Sequence, residues 1–280
     1  MKKIYLLFIC LCLPYVVEAV TEDEKFWEKE SLKNIPKGFG IHTDLGYSTY
    51  LIELHSSEMD SAIDYDVLET TLGLSYVNDN ILVGIYGKFV VDEIQSNMYV
   101  VTTQAPLNNR AEVTKDEFAL YLNYFFLESE KSSWSLNTIY RYASLDASDR
   151  YNSFFNYVSY FKYKTDGLAL SLAYQRELLR GMVAINLGML YSKAKVTMSE
   201  SIDGQIQDTF VNDSVNALGG KFSLAYKYEY SENLSFHLRT DFWRQKFGSL
   251  NVSSLVGDSL PNASLREESY TTYLGVAWRF

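Results

Sequence analysis

The feature that most constrains this chain is an alternation of apolar and polar residues with a period of two, repeated from Gly38 to Phe280. Segment 66–77, DVLETTLGLSYV, places three leucines and a tyrosine on one face, and Glu69 with threonine and glycine on the other. Segment 168–175, LALSLAYQ, alternates in the same way. Alternation of this kind is typical of β-strands with one apolar and one polar face. The pattern predicts an all-β protein.

Eleven segments of this kind occur, at 39–51, 66–77, 81–92, 118–126, 134–143, 154–163, 168–175, 182–192, 220–230, 234–242 and 270–280. Many reach ten residues or more, close to the 9–11 that a tilted strand needs to cross a bilayer. Soluble strands most often have about five or six residues. The polar faces carry small, polar and charged residues, as a lumen does, and the 23 Tyr suit aromatic girdles. We predict an antiparallel, up-and-down transmembrane β-barrel, because only closed sheets avoid free edges in lipid.

The number of strands follows less directly. Bacterial single-chain barrels have even numbers of strands, so one segment is missing or one is counted in excess. Segments 97–104 and 195–202 are candidates for a hidden strand, which predicts twelve strands. The alternative is ten strands, if one hairpin extends above the membrane. In segment 154–163 we expect Phe155, Tyr157, Phe161 and Tyr163 to face outward, since this turns Lys162 away from lipid.

The N-terminus has the pattern of a secretory signal peptide, with Lys2 and Lys3 before an apolar run and Ala19 at the expected cleavage site. We therefore predict a signal peptide at 1–19, a periplasmic tail at 20–37 and the barrel at 38–280. Both cysteines lie within the signal peptide. An exported chain without cysteine cannot form disulfides, which suits a bacterial envelope protein.

The mature chain is acidic. The whole sequence has 25 Lys and Arg and 35 Asp and Glu. Removal of the signal peptide takes away Lys2, Lys3 and Glu18. The mature chain then has 23 basic and 34 acidic residues, a net charge of −11. Nucleic-acid binders usually carry a basic patch with interleaved aromatic residues, and this sequence has none that we recognise. We predict that nucleic acid is not a partner.

The last segment, YTTYLGVAWRF, completes a resemblance to Gram-negative outer-membrane β-barrel proteins. Leu274, Val276, Trp278 and Phe280 alternate toward a final aromatic residue. In that family the assembly machinery of the outer membrane reads such a terminal strand. The resemblance implies location in the outer membrane, short periplasmic turns and long external loops. It also implies contact with outer-membrane lipids, including lipopolysaccharide, and with the assembly machinery through the strand that ends in Phe280.

Charged residues on the polar faces are the candidate site, because buried charges must be paired. The lumen-facing set is predicted to be Asp44, Glu69, Lys88, Asp92, Arg141, Arg239 and Asp241. One interpretation is the charged wall of a small porin-like channel for passive permeation of solutes. The other is a salt-bridged plug, in which case the protein would be a structural or surface-interaction barrel acting through loops near 93–115, 195–215 and 246–267. The size of a barrel of ten to twelve strands leaves both open. We predict the porin-like channel as the function, with the structural or surface-interaction barrel as the alternative and a barrel-embedded hydrolase third.

Catalysis has little support in the sequence. His42 with Asp44, and His237 with Asp241, share lumen-facing parity, as in barrel-embedded hydrolases, but such pairs are also common in structural networks. We predict that the protein is not an enzyme and needs no metal or cofactor. An acidic cluster precedes the second segment and is predicted to be a solvated external loop rather than a cation site bridging lipopolysaccharide; it consists of Glu58, Asp60, Asp64 and Asp66.

Overall fold

The computed structural model describes residues 37–280, apart from gaps at 56–58, 103–104, 110, 130, 153–155, 180, 203–204 and 254–258. The predicted signal peptide at 1–19 and the predicted tail at 20–37, except for Lys37, lie outside the described residues. Among the described residues, no helix has the length and apolar character needed to cross a membrane.

Ten long strands and one short strand make up the described part of the chain. They are β1 (Gly38–His55), β2 (Met59–Asn78), β3 (Ile81–Thr102), β4 (Ala105–Asn109), β5 (Ala111–Glu128), β6 (Ser132–Asn152), β7 (Asn156–Leu178), β8 (Gly181–Ile202), β9 (Gln205–Glu229), β10 (Leu234–Ser253) and β11 (Ser259–Arg279). The long strands have 18 to 25 residues. This is about twice the length that a bilayer crossing requires.

The sheet closes on itself. β1 pairs antiparallel with β2 on one side and with the last strand, β11, on the other. The short strand β4 pairs with the end of β3, while the lower part of β3 pairs with β5 and continues the barrel. The protein is therefore a closed antiparallel barrel of ten strands, with β4 as a short addition. Closure pairs the backbone groups of every strand, which lipid requires.

The prediction of twelve strands is wrong, and the alternative of ten is confirmed. Segments 154–163 and 168–175 are parts of one strand, β7, so eleven segments become ten. Residues 97–102 and 195–202 are continuations of β3 and β8. Each of these segments was counted as a separate strand for the same reason. The hydrophobic pattern of a strand changes where the strand leaves the membrane, so one strand looks like two.

An apolar belt surrounds the outside of the barrel. Leu187, Met189 and Leu274 expose 60 %, 64 % and 66 % of their surface on it. Each long strand contributes, for example through Leu45, Leu74, Ile85, Leu120, Leu136, Leu170, Leu187, Leu224, Leu238 and Leu274. Such a continuous belt is unfavourable in water and favourable in lipid, so it marks the membrane-spanning part.

The belt lies toward the end of the barrel that holds the short turns and both ends of the described chain. These short connections join β2 to β3, β5 to β6, β7 to β8 and β9 to β10. Exposed aromatic residues gather at this rim, among them Tyr76, Tyr124, Trp134 and Trp278. Short turns of outer-membrane barrels face the periplasm. The resemblance to these proteins therefore implies that the opposite halves of the strands project outward from the cell.

The hydrophobic pattern reverses where the strands leave the belt. In β1, Leu45 and Tyr47 point outward into the belt, whereas Tyr50, Ile52 and Leu54 are buried inside the barrel. At this level the outer surface of the barrel faces water instead of lipid. The apolar residues of the strand therefore lie on the inner face, as in a soluble protein.

The expected orientation of segment 154–163 is wrong for the same reason. Phe161 and Tyr163 are 2 % and 1 % exposed and lie inside the barrel, while Lys162 is exposed on the outer surface. The side chains of Phe155 and Tyr157 lie outside the described ones. This part of β7 stands above the membrane, so the outside is the polar side.

Candidate functional site: the barrel lumen

The lumen has three layers along the barrel axis. At the periplasmic end lies a polar cavity of about 410 Å³, which we call the vestibule. Above it, three acidic and three basic residues form what we call the ionic layer: Glu69, Glu117, Glu267, Lys88, Lys115 and Arg141. Above that, the interior is filled by a cluster of buried apolar side chains, the apolar cap.

Glu69 of β2 anchors one side of the ionic layer. Its carboxylate accepts hydrogen bonds from the hydroxyls of Tyr50 and Tyr273, at 2.7 Å and 2.6 Å. The Lys88 ammonium lies 3.2 Å from the same carboxylate and donates to the Tyr50 hydroxyl at 3.0 Å. Glu69 itself is 1 % exposed. A buried carboxylate is tolerable only with partners of this kind.

Glu117 of β5 holds the centre of the layer. Its carboxylate lies 2.8 Å from the Arg141 guanidinium and 3.5 Å from the Lys88 ammonium. It also accepts a hydrogen bond of 2.9 Å from the Tyr86 hydroxyl. The Arg141 guanidinium lies 5.1 Å from the centre of the Trp243 ring. One carboxylate therefore contacts two cations, which are supplied by the two neighbouring strands β3 and β6.

Lys115 and Glu267 form the third pair, 3.2 Å apart, beyond the belt on the extracellular side. Tyr163 and Gln245 donate hydrogen bonds to the Glu267 carboxylate at 2.6 Å and 3.1 Å. Burial lowers the pKa of Lys115 to about 8, although Glu267 opposes the shift. Burial disfavours the ionised Glu267, but Lys115 and Arg141 outweigh it and hold the pKa of that carboxyl below its usual value.

The apolar cap closes the lumen above the ionic layer. Val67, Val196, Leu250 and Leu265 are completely buried there, and the Phe247 ring meets the Tyr163 ring edge-on. Nearly every long strand contributes to this cluster. Its packing resembles the interior of a soluble protein. Within the part of the chain that the structure describes, the lumen is thus filled above the vestibule.

The vestibule contains the histidines of interest. Nε2 of His237 lies 2.6 Å from the Asp44 carboxylate. Arg239 lies 3.8 Å from Asp44 and 3.3 Å from Asp241. His237 and Asp241 both face the vestibule, but they do not contact each other as a pair, because Asp241 pairs with Arg239 on its own strand. The cross-strand register brings Asp44 to His237 through the small Gly275 between them.

Six of the seven predicted lumen residues lie in these layers. Glu69, Lys88 and Arg141 belong to the ionic layer, and Asp44, Arg239 and Asp241 line or adjoin the vestibule. Asp92 does not, since it is exposed. β3 carries an extra residue opposite Leu68 and Glu69, and this bulge breaks the alternation just before Asp92.

The prediction omitted Lys115, Glu117 and Glu267, half of the ionic layer. Residues 93–115 and 246–267 were expected to be loops, yet they belong largely to strands β3, β5, β10 and β11. Around Glu267, the buried residues Leu265 and Glu267 alternate with the outward residues Arg266 and Glu268. That alternation has charges on both faces and therefore gives no hydrophobic period.

The acidic cluster before the second segment is part of a strand rather than a loop. Asp60, Asp64 and Asp66 belong to β2, while Glu58 lies outside the described residues. Asp66 accepts a hydrogen bond of 2.6 Å from the Thr49 hydroxyl. Among the described residues, no group of three His, Cys, Asp or Glu could hold a metal ion.

No protein-family model matches the chain, and no curated protein matches its sequence. Among solved structures it is similar to the outer membrane protease OmpT from Escherichia coli, with a TM-score of 0.67 and 11 % identity over 88 % of this chain and 98 % of that one. The translocator domain of the autotransporter NalP from Neisseria meningitidis matches with a TM-score of 0.47 and 10 % identity over 99 % and 96 %. OprG from Pseudomonas aeruginosa matches with 0.40 and 12 % over 87 % and 96 %.

At these identities the likeness concerns the fold. The likeness to OmpT extends over nearly the whole barrel, and the apolar belt has the character of a membrane-spanning surface. The chain therefore has the fold of Gram-negative outer-membrane β-barrel proteins and is an integral protein of the bacterial outer membrane.

Proposed function

We propose that the protein is a closed outer-membrane barrel that works through the outer surface of its projecting half, in a structural or surface-binding role. The observation that carries this proposal is the charge-balanced ionic layer beneath the apolar cap. A solute leaving the vestibule would have to separate Glu117 from Arg141 and then displace the buried side chains around Leu265. Both steps are unfavourable, since unpaired buried charges and opened cores cost several kcal/mol, about 3–5 each.

The projecting half offers a large surface for such a role. The strands continue about ten residues beyond the belt, which is roughly 25 Å along the barrel axis for a tilt of about 40°. The regions near 93–115, 195–215 and 246–267, expected to act as loops, are largely part of this rigid wall. Side chains on paired strands are held in place by the sheet. A partner that binds them therefore pays less conformational entropy than one that must order a flexible loop.

A passive channel for small solutes is the second candidate. The vestibule favours it, because a cavity of about 410 Å³ lined by Lys221, Arg239 and Asp241 could admit small solutes from the periplasm. Permeation would then require the ionic layer and the apolar cap to rearrange. We also propose that the protein is not an enzyme. Nε2 of His237 lies 2.6 Å from the Asp44 carboxylate, which Arg239 also approaches, and contacts of this kind are common in structural networks.

Single-channel recording in a planar bilayer tests the closed barrel against the channel. We expect the purified, folded protein to produce no unitary openings over a wide voltage range, while a general porin in the same bilayer conducts. Steady openings whose ion selectivity changes in Arg239→Ser would establish the channel instead. The same preparation is expected to hydrolyse neither peptides nor phospholipids, and a hydrolysis rate that His237→Ala abolishes would refute the non-enzymatic role.

A further inference from the structure

Lys221 of β9 is a cation inside the barrel that has no carboxylate partner. Its side chain lines the vestibule, while the next residue, Phe222, faces the apolar belt. The Lys221 ammonium lies over the Trp243 ring, 4.7 Å from the ring centre. It forms no ion pair with any residue that the structure describes. An ionisable side chain at membrane depth is costly to keep, and it commonly marks a functional site.

Nearly all other cations of the vestibule are paired. The pairs are Lys88 with Glu69, Arg141 with Glu117, Arg239 with Asp241 and Lys227 with Glu229. Asp44 faces both His237 and Arg239. Arg279 stands at the mouth. With the histidines neutral, the six cations, including Lys221 and Arg279, face five carboxylates, so one positive charge remains in excess.

A row of polar side chains without hydrogen-bond partners lies beside Lys221. Asn186 of β8, Ser223 of β9 and Asp241 of β10 stand directly opposite one another across the three strands. Asn186 Oδ1, Ser223 Oγ and Asp241 Oδ1 are buried, and none has a hydrogen-bond partner within the part of the chain that the structure describes. Ser223 and Asp241 are only 6 % and 7 % exposed, and all three residues line the vestibule. Buried polar atoms of this kind need a ligand or water as a partner.

Aromatic rings hold the cations of this wall in place without neutralising them. The Arg141 guanidinium also lies near the Trp243 ring, 5.1 Å from its centre, and the Arg239 guanidinium lies 4.4 Å from the centre of the Tyr273 ring. A cation over a ring face is attracted to the ring but keeps its net charge and its N–H donors. This wall is therefore suited to a charged, hydrogen-bonding solute rather than to an aromatic one, which would need a free ring face.

We propose that the vestibule binds a small hydroxylated carboxylate, such as a sugar acid, that enters from the periplasm. The carboxylate lies on the Lys221 ammonium and the Ser223 hydroxyl, and hydroxyl groups of the ligand donate to Asn186 and Asp241. A single carboxylate matches the single excess charge, whereas a phosphate group carries up to about two negative charges. An amino group in place of the hydroxyls would be repelled by Arg239, which lies 3.3 Å from Asp241.

The vestibule has room for such a solute, since its volume of about 410 Å³ is in the usual range of small-molecule sites. The site is open toward the periplasm, so the proposal stands whether or not the lumen conducts. Single-channel recording tests the closure of the lumen, whereas ligand binding tests this site. The failure of one proposal is therefore distinguishable from the failure of the other.

Isothermal titration calorimetry of the folded, detergent-solubilised protein with D-gluconate tests the proposal. Sorbitol, which lacks the carboxylate, and acetate, which lacks the hydroxyl groups, are titrated in the same buffer, free of phosphate and of other carboxylates. We expect gluconate to bind, and the other two to bind at least about tenfold more weakly, because each lacks one half of the contacts.

Two variants assign the binding to this wall. Lys221→Gln removes the charge but keeps an N–H donor, and it is expected to weaken gluconate binding at least about tenfold without lowering stability, since no ion pair is lost. Asn186→Asp places a carboxylate opposite Ser223 and is expected to abolish binding by repulsion. The matched control is Lys193→Gln, the same change on the exposed outer face of β8, which is expected to leave the affinity unchanged. Heat-modifiable gel mobility shows that each variant is folded.

Absence of gluconate binding at millimolar concentrations would overturn the proposal. Equal affinity for sorbitol would refute the contact of a carboxylate with Lys221, and equal affinity for acetate would refute the hydroxyl contacts. Unchanged binding in Lys221→Gln or in Asn186→Asp would place the ligand elsewhere. Equal weakening in Lys193→Gln would also contradict the site, because the effect would then reflect the net charge of the barrel.

Discussion

Glu117 holds the centre of the ionic layer on which the proposed closed barrel rests. Its single carboxylate faces Arg141 at 2.8 Å and Lys88 at 3.5 Å, and both cations are largely buried. If the charge at this position is removed, Lys88 keeps the Glu69 carboxylate at 3.2 Å, whereas Arg141 loses the carboxylate that lies 2.8 Å from it. Removing one partner of a buried ion pair is far more costly than removing a surface charge.

Glu117→Gln is therefore expected to lower the free energy of unfolding by about 3–5 kcal/mol. Asp116→Asn is the matched control, because Asp116 is the preceding residue of the same strand and is exposed on the outside. The control is expected to change stability by no more than about 0.5 kcal/mol. Urea unfolding in lipid vesicles, monitored by tryptophan fluorescence, measures both. Equal changes in the free energy of unfolding in the two variants would show that the ionic layer stabilises the barrel no more than an exposed surface charge does.

For charged residues at the level of the belt, the sequence predicted which side chains face the lumen. For charged residues beyond the belt it did not. Asp44, Glu69 and Arg141 alternate with lipid-facing leucines or tyrosines, so the sequence alone places them inside. Lys115 and Glu267 alternate with outward charges, so nothing local distinguishes inside from outside. Their pairing joins β5 to β11, strands far apart in sequence, and only the closed barrel brings them together.

At the level of the strand, the reversal of the hydrophobic pattern explains both the successes and the errors of the sequence-based prediction. Alternation identified the belt half of every long strand, because lipid selects apolar residues on one face. Beyond the belt, apolar residues such as Tyr163 move to the other face. The apolar residues of segment 154–163 therefore have the opposite parity to those of segment 168–175, and the two segments were counted as separate strands. The Asp166-Gly167 pair between the two segments favours a hairpin turn in the sequence, yet β7 continues through it. The change of parity there therefore marks the level at which a single strand leaves the membrane.

The reversal can be tested on one face of β1. Leu45 points into the belt, and Leu51 points outward beyond it, between Asp64 and Glu268 on the neighbouring strands. Leu45→Lys is expected to lower the free energy of unfolding by about 2–4 kcal/mol, as for a cation placed deep in the lipid face. Leu51→Lys is expected to cost less than about 1 kcal/mol.

Urea titration of refolded barrels in vesicles measures the two leucine variants under identical conditions. A large cost at Leu51 would mean that lipid reaches this height and that the belt is taller than the exposed apolar residues indicate. A negligible cost at Leu45 would contradict the position of the membrane altogether.

As a whole, the molecule is a ten-stranded cylinder with a polar cavity open toward the periplasm and a packed interior toward the cell exterior. The fold class and the location followed from the sequence, whereas the filled lumen did not, because pore and plug use the same charged residues. Pairing and covering of those charges would distinguish a plug from a pore. The described side chains contain ion pairs beneath an apolar cluster, which supports the proposed plug.

The most direct test of the closed lumen is the labelling of single cysteines with a membrane-impermeant maleimide, since both native cysteines lie in the predicted signal peptide. Asn186→Cys places a thiol in the vestibule, and Ala194→Cys places one in the apolar cap. The account predicts that in intact cells neither thiol reacts, and that after the periplasmic side is opened the vestibule thiol reacts while the cap thiol stays protected. Labelling of Asn186→Cys from outside intact cells would contradict it.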